Sequence, residues 1–437
     1  MRENTAPRVG LMTLGCKVNQ YESEAIAELF QSKGFVIADA DEPCDVYVIN
    51  TCTVTAESDR KAGQLIRRAA AKNPDAPILV TGCFSQSHPD RVAAIKGVDF
   101  VCGNTDKLAV VAAAERLLKK RAARPEIAVS DVQTAPFEPM TITRFDRTRA
   151  YVKIEDGCEN RCSYCAIPAA RGKVRSKPLA EVVSEVEGLV HGGCREVVLT
   201  GIETASWGRD LDGVTLADLL VAVDQIEGLE RMRLGSLEPT LMREEFVQKI
   251  ANLRTIVPHF HLSMQSGSAR VLAAMRRRYN PDQAMAGIKR LRAAMPDAEL
   301  TTDFIVGFPG ESDEDFEQTM RFAAEAEFLQ MHVFAYSKRE GTPAATMTGQ
   351  IEKSVKKERS ARLIALGEEL TARRLARALE TPVRPVLFET FSNGVAVGHT
   401  REFFEVAVPS PVPLDGEIRT VHTTHAENGR LWGELAD

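Results

Sequence analysis

Cys158, Cys162 and Cys165 lie in one short loop, DGCENRCSYCAIP, directly after the apolar run AYVKI. No histidine is near them. A structural zinc site wants four ligands, so three thiols alone leave it incomplete. A four-iron cube is held by cysteine thiolates, and three of them leave one iron open to an outside ligand. A ligand-binding loop that follows a strand constrains the fold as well. In parallel sheets and barrels, sites form beyond the carboxyl ends of the strands. The rival reading is a three-cysteine zinc site completed by a distant histidine.

Five further apolar runs follow at helix-length spacing: REVVLTG, RMRLGS, FHLSM, AELTTDFIVGF and MHVFAY. Repeated strand–helix units of this kind predict a partial parallel barrel over residues 149–372. The runs end in Asp156, Glu203, Ser236 with Glu238, Gln265, Asp303, and Ser337 with Arg339. All these residues therefore belong to one face.

Upstream, over residues 6–122, RVGLMTLGC, DVYVINTC, PILVTGC and VDFVCGN alternate with helical stretches. This pattern predicts an open parallel α/β sheet. Cys16, Cys52 and Cys83 each end a strand, so the topology carries three distant thiols to one edge. One buried cysteine would be an ordinary core residue; three at successive strand ends predict a second site. Cys102 ends the fourth strand and is the candidate for a fourth ligand, whereas Cys44 and Cys194 read as structural. Residues 123–148 hold three prolines and form a connector, with room for a short strand. Residues 373–437 carry about five short strands separated by glycine, proline and asparagine, a small β-barrel or sandwich.

The chain has 437 residues and 44% apolar content, which fits about three domains of ~150 residues. No run approaches the ~20 apolar residues of a membrane span, and Met1–Cys16 lacks a leader pattern. A cytoplasmic location without membrane association is expected. In that reducing setting nine cysteines read as ligands, catalytic thiols or core residues rather than disulfides. The net charge of −6 gives no overall attraction to nucleic acid, so any RNA contact must be local. RGKVRSK, with Arg171, Lys173, Arg175 and Lys177, and the run Arg276–Arg278 are the local candidates.

The cysteine loop, with Tyr164 before its last cysteine, resembles the radical S-adenosylmethionine (SAM) superfamily. TLGCKVNQYESE, NTCTVT, TGCFSQ, VVLTGIE, HLSMQSGS, TTDFIVGFPGE and FAYSKREGTPA extend the resemblance to the methylthiotransferases over nearly the whole chain. The resemblance implies an N-terminal methylthiotransferase domain, a radical SAM core and a C-terminal TRAM barrel. It implies two [4Fe-4S] clusters, one on Cys158, Cys162 and Cys165 that binds SAM, and one on Cys16, Cys52 and Cys83 that presents sulfur. Tyr164, Gly201, Glu203, Ser236, Glu238 and Gln265 become candidate SAM contacts. Arg401 joins the RNA candidates, although residues 373–437 hold seven basic and nine acidic side chains. The implied partners are tRNA and an electron donor such as a flavodoxin or ferredoxin. GCKVNQYES is most similar to the branch acting on N6-threonylcarbamoyladenosine beside the anticodon. The alternatives are the branches acting on isopentenyladenosine or on a ribosomal protein aspartate, and, from another class, a non-catalytic zinc or iron–sulfur RNA-binding protein.

Overall fold

The computed structural model describes residues 6–145 and 147–436, so Asp146 in the connector and the terminal Asp437 lie outside them. The N-terminal sheet has six strands: β1 (Arg8–Thr13), β2 (Val36–Ala38), β3 (Val46–Thr51), β4 (Ile78–Gly82), β5 (Val98–Cys102) and β6 (Glu126–Ala128). Their order is β2-β1-β3-β4-β5-β6, and every pairing is parallel. β3 and β4 are buried along their whole length, which is why they read as unbroken apolar runs. β6 is a three-residue strand within the connector, paired with β5.

β7 (Ala150–Lys153) opens the second unit, and a two-residue pair, β8 (Glu155–Asp156) and β9 (Arg175–Ser176), brackets the cysteine loop. β10 (Glu196–Thr200), β11 (Arg231–Leu234), β12 (His259–Gln265), β13 (Glu299–Val306) and β14 (Gln330–Ala335) follow. β7, β10 and β11 form one parallel sheet and β12, β13 and β14 another. Parallel bridges Met232–Ile256 and Leu237–Leu262 join the two. The result is the six-stranded partial barrel that the six runs predict.

The helix Lys353–Ala378 packs against β14, so the expected boundary at 372 falls within a helix. Beyond it, β15 (Val383–Ser392), β16 (Val395–Thr400), β17 (Glu405–Pro409), β18 (Ile418–Glu427) and β19 (Arg430–Leu435) close into a barrel, in the order β15-β16-β17-β19-β18. Closure leaves no free sheet edge. No helix of the described residues is long and apolar enough to cross a membrane.

Two docking surfaces hold the three units together. The helix Lys17–Ser32 sets Glu22 against the base of β7. Its carboxylate takes Lys107 Nζ at 2.5 Å, Lys153 Nζ at 2.8 Å and Arg171 Nη1 at 2.6 Å, with all four side chains at most 1% exposed. Asp156 adds a second acid at 2.7 Å from Lys153. Tyr21 on the same helix turn donates to the Met140 carbonyl at 2.6 Å and to Glu185 at 2.9 Å. At the opposite end of the barrel, Arg231 donates to the carbonyls of His399 and Pro385, and Arg149 pairs with Glu389. Phe403 inserts between His259 and His399, with ring centroids 4.4 and 4.5 Å away. Arg149, Arg231 and His259 all sit at the amino ends of their strands. The C-terminal barrel therefore covers the face opposite the cysteine loop.

Candidate active site

The two cysteine trios meet across the junction of the first two units. Cys16 caps the helix Lys17–Ser32, Cys52 follows β3, and Cys83 follows β4. Gly82 makes the last of these turns possible. Its φ is +101°, and a Cβ there would lie 2.3 Å from the Thr51 carbonyl oxygen, so only glycine fits beside the Cys52 turn. Gly157 does the same before Cys158, where a Cβ would come within 1.8 Å of the Lys173 carbonyl oxygen.

Burial raises the Cys52 thiol to about 11, and the neighbouring sulfurs of Cys83 and Cys16 push it the same way. Cys165 is raised to about 12 by burial, with Cys162 and Cys83 adding to it. Cys83 thus acts on members of both trios. The helix Cys83–Ser87 packs against the helix Ile167–Arg171, which begins two residues after Cys165. Cys102 stands apart, packed in the sheet core and directed at the carbonyls of Thr105 and Asp106. Cys44 and Cys194 are buried and bonded to nearby carbonyls, as expected of structural thiols.

Arg171 sits between the trios. It donates to Cys83 Sγ at 3.2 Å, Asn19 Oδ1 at 2.6 Å, and the carboxylates of Glu22 and Asp156. It is fully buried, so the expectation that it grips RNA is corrected: its charge is spent between thiols and acids inside the fold. Arg175 and Lys177 are also buried: Arg175 is bonded to the carbonyls of Val132 and Arg171, and Lys177 pairs with Glu185. Arg401 donates to the carbonyls of Arg254 and Ile256 and serves the docking of the C-terminal barrel. Of the RNA candidates, Lys173 is exposed.

The second trio has a comparable escort. Arg277 donates to Cys162 Sγ at 3.4 Å and to the Ser263 carbonyl at 3.1 Å, and lies 3.4 Å from Glu238. It comes from the run read as a basic surface, yet only Arg276 and Arg278 are exposed. Glu238 is buried and Ser236 beside it is exposed. Glu203 is raised to about 7 by burial and by Glu238. Asn160, from within the cysteine loop, donates to Glu203 at 3.0 Å. Glu155 lies beneath the Gly201–Glu203 turn and accepts the Glu203 N–H at 2.8 Å. A Cβ on Gly201 would lie 2.6 Å from the Glu155 carboxylate, so this turn packs closely on Glu155. Burial holds Glu155 well above the usual carboxylate range.

Tyr164, Cys165, Gln265, Asp303, Tyr336 and Thr55 line a cavity of about 400 Å³ shared by the barrel and the N-terminal unit. Arg339 closes one side, donating to Thr53 at 2.7 Å and pairing with Asp59 at 3.0 Å. A second concavity of about 470 Å³ shares Arg339 and carries Arg60, Arg67, His88, Arg91 and Lys338 against Asp59 and Glu340. This is the basic surface beside the cavity, and no run in the sequence marked it.

Cys16 and Lys17 are exposed at the start of their helix. On the barrel, His261, Asp303 and His332 bring side-chain atoms within 4.8 Å of one another.

Each trio offers three sulfurs and has one guanidinium directed at a sulfur, Arg171 at Cys83 and Arg277 at Cys162, a setting whose chemistry suits thiolate ligands rather than neutral thiols. High thiol pKa values in the protein alone are what metal binding reverses, since ligands bind deprotonated.

Comparison with known proteins follows the same division. A model of the radical SAM superfamily matches residues 152–323, and one described as uncharacterized protein family UPF0004 matches residues 8–103. Threonylcarbamoyladenosine tRNA methylthiotransferase MtaB of Bacillus subtilis is 41% identical over 94% of this chain and 92% of its own. The protein of the same name in Thermotoga maritima is 40% identical over 80% of each. The tRNA-2-methylthio-N(6)-dimethylallyladenosine synthase of Streptomyces avermitilis is 40% identical over 85% of this chain and 75% of its own. Among solved structures, the radical SAM methyltransferase TsrM of Kitasatospora setae superposes with a TM-score of 0.55 at 16% identity, covering 78% of this chain and 77% of that one. At that identity the likeness concerns the fold.

Proposed function

Since the chain belongs to the radical SAM tRNA methylthiotransferases, we propose that it converts N6-threonylcarbamoyladenosine in tRNA to the 2-methylthio derivative, using two four-iron clusters. The observation that supports this reading is the packing of the helix opened by Cys83 against the helix that follows the Cys158–Cys165 loop, with Arg171 of that second helix donating to Cys83 Sγ. Their clusters, when bound, supply reductive cleavage of SAM on one side and a sulfur atom for the adenine on the other.

The protein's own part is to bind, orient and exclude water. Cys158, Cys162 and Cys165 hold the SAM cluster, and Cys16, Cys52 and Cys83 hold the sulfur-presenting one. Glu203, fixed by Asn160 and Glu155, would take the ammonium of SAM. Arg277, anchored on the Ser263 carbonyl, would take its carboxylate. Tyr164, Gln265 and Tyr336 form the walls against which the adenine is held. Arg67, Arg91 and Lys338, exposed beside that cavity, would meet the phosphates of the anticodon loop.

Nucleoside mass spectrometry of tRNA from cells lacking the protein tests the reading: the 2-methylthio derivative should vanish and its threonylcarbamoyl precursor accumulate. Complementation with Cys162→Ala should fail, and purified Cys162→Ala should not cleave SAM. Cys52→Ala should cleave SAM to 5′-deoxyadenosine but give no methylthiolated product. Product from Cys52→Ala would refute the sulfur-presenting role.

A further inference from the structure

We propose that His261, Asp303 and His332 hold one divalent metal cation, whose open positions take the carboxylate of the substrate's N6 substituent. The inference rests on the function proposed above and deepens it to the group that recognises the modification.

The three residues come from neighbouring strands of one parallel sheet, β12, β13 and β14. His261 is the register partner of Thr301, and Asp303 that of His332. Thr301 and Asp303 are two positions apart, so their side chains share a face. Burial follows that alternation. Leu262, Met264, Phe304 and Val306 belong to the core, whereas His261, Ser263, Asp303 and Ile305 are partly accessible. On β14, His332 and Phe334 are exposed, and Met331 and Val333 pack on the core. The trio therefore lies on the side of the sheet turned away from that core. Asp303, Ile305 and Phe334 of this same side line the cavity of about 400 Å³, together with Tyr164 and Cys165.

One ligand atom from each of the three residues lies within 4.8 Å of the other two, and His261 Nε2 is 3.3 Å from Asp303 Oδ2. The rings of His261 and His332 have centroids 6.0 Å apart. Thr301 Oγ1 meets His261 Nδ1 at 2.9 Å, which leaves Nε2 turned to Asp303. The same hydroxyl meets His259 Nε2 at 3.1 Å, so it is fixed from behind. An outer hydrogen bond of this kind sets the ring orientation of a metal-bound imidazole. Two imidazoles and one carboxylate suit a divalent metal such as zinc, iron or manganese, and three protein ligands leave further positions open.

The substrate brings a matching donor. Threonine joined through its amine to a carbamoyl group on N6 keeps a free carboxylate, whereas a dimethylallyl group on N6 has none. A cation on the cavity wall holds the first substituent and gains nothing from the second. The competing role is a metal-free His261–Asp303 pair that only shapes the wall.

The test titrates Mn²⁺, to millimolar concentration, into the full-length, cluster-reconstituted enzyme with its clusters held diamagnetic. Mn²⁺ stands at the weak end of the divalent series, so it leaves the iron on its thiolates. Electron paramagnetic resonance counts the bound ion, and nitrogen couplings in spin-echo modulation report imidazole ligation. One bound ion with such couplings is expected. His332→Gln, at an exposed position on an edge strand, and Asp303→Ala should each abolish it, with iron content and melting temperature as in wild type. Thr301→Val should weaken it by about 10- to 100-fold. An anticodon stem-loop carrying threonylcarbamoyladenosine should tighten Mn²⁺ binding by about 5- to 150-fold over the same stem-loop carrying the methyl ester. The phosphates are common to both RNAs and cancel. No bound ion, a bound ion without nitrogen couplings, or equal affinity with acid and ester overturns the proposal. If wild type methylthiolates neither stem-loop but accepts isopentenyladenosine, the functional reading fails and the proposal with it, a result that product analysis reports separately from metal binding.

Discussion

Glu203 shows how single side chains are tuned here. Its carboxyl is raised to about 7 because the turn that holds it is buried and Glu238 is close. A raised acid is protonated below that pH and cannot pair with an ammonium. SAM affinity should therefore fall as pH drops from about 8 to 6, and Glu203→Gln should bind weakly with no such dependence; isothermal titration across that window reads both. The sign for stability is the reverse. The folded chain holds this proton more tightly than the unfolded one, so Glu203 costs stability as pH rises from its ordinary value near 4.5 through about 7. Glu203 was legible as a strand-end acid. Glu155, Asn160 and Arg277, which position it and its neighbours, were not, because nothing local distinguishes a buried charge from a solvated one.

At the scale of elements, the helix Lys17–Ser32 joins the two trios. Nearly two turns beyond Cys16 it places Glu22 among Lys107, Lys153 and Arg171, so one carboxylate fixes the angle between two units. Removing one partner of a buried ion network leaves the others uncompensated, a loss of about 3–5 kcal/mol. Glu22→Gln should lower the unfolding free energy by that amount, measured in urea, and loosen the junction so that SAM cleavage becomes uncoupled from product formation. The neighbouring cations depress the folded pKa of Glu22 well below 4.5. The network thus contributes stability above that value and loses it as pH falls through the depressed folded value. Acid should separate the N-terminal unit from the barrel before either unit melts, which domain-resolved hydrogen exchange would detect.

For the whole molecule, the three units divide the barrel between them. The N-terminal sheet meets the cysteine face, and the C-terminal barrel covers the amino ends of the strands through Phe403, Arg231 and Arg401. Phe403 holds a φ of +79° and is stacked between two histidines beneath Arg233. Phe403→Ala should therefore cost about 3–5 kcal/mol and weaken docking. RNA binding is assigned elsewhere. Arg67→Glu with Arg91→Glu should weaken tRNA binding across sequences and flatten its salt dependence, read by filter binding at several ionic strengths. Arg401→Ala should act through the domain junction instead, changing thermal stability more than the salt slope.

The amino-acid sequence by itself determined the element order, the three units and both cysteine trios. Alternation of apolar runs with helical stretches is local, and thiols at strand ends are tied to that alternation by topology. Tertiary structure decided which charges face solvent. RGKVRSK reads as a basic surface, yet Arg171 and Arg175 turn inward because Glu22 and Asp156 arrive from distant chain segments to meet them. The exposed basic rim is assembled from Arg67, Arg91 and Lys338, residues that no window of sequence contains together. Charge pairing across such separations depends on packing, and packing is settled only when the whole chain has folded.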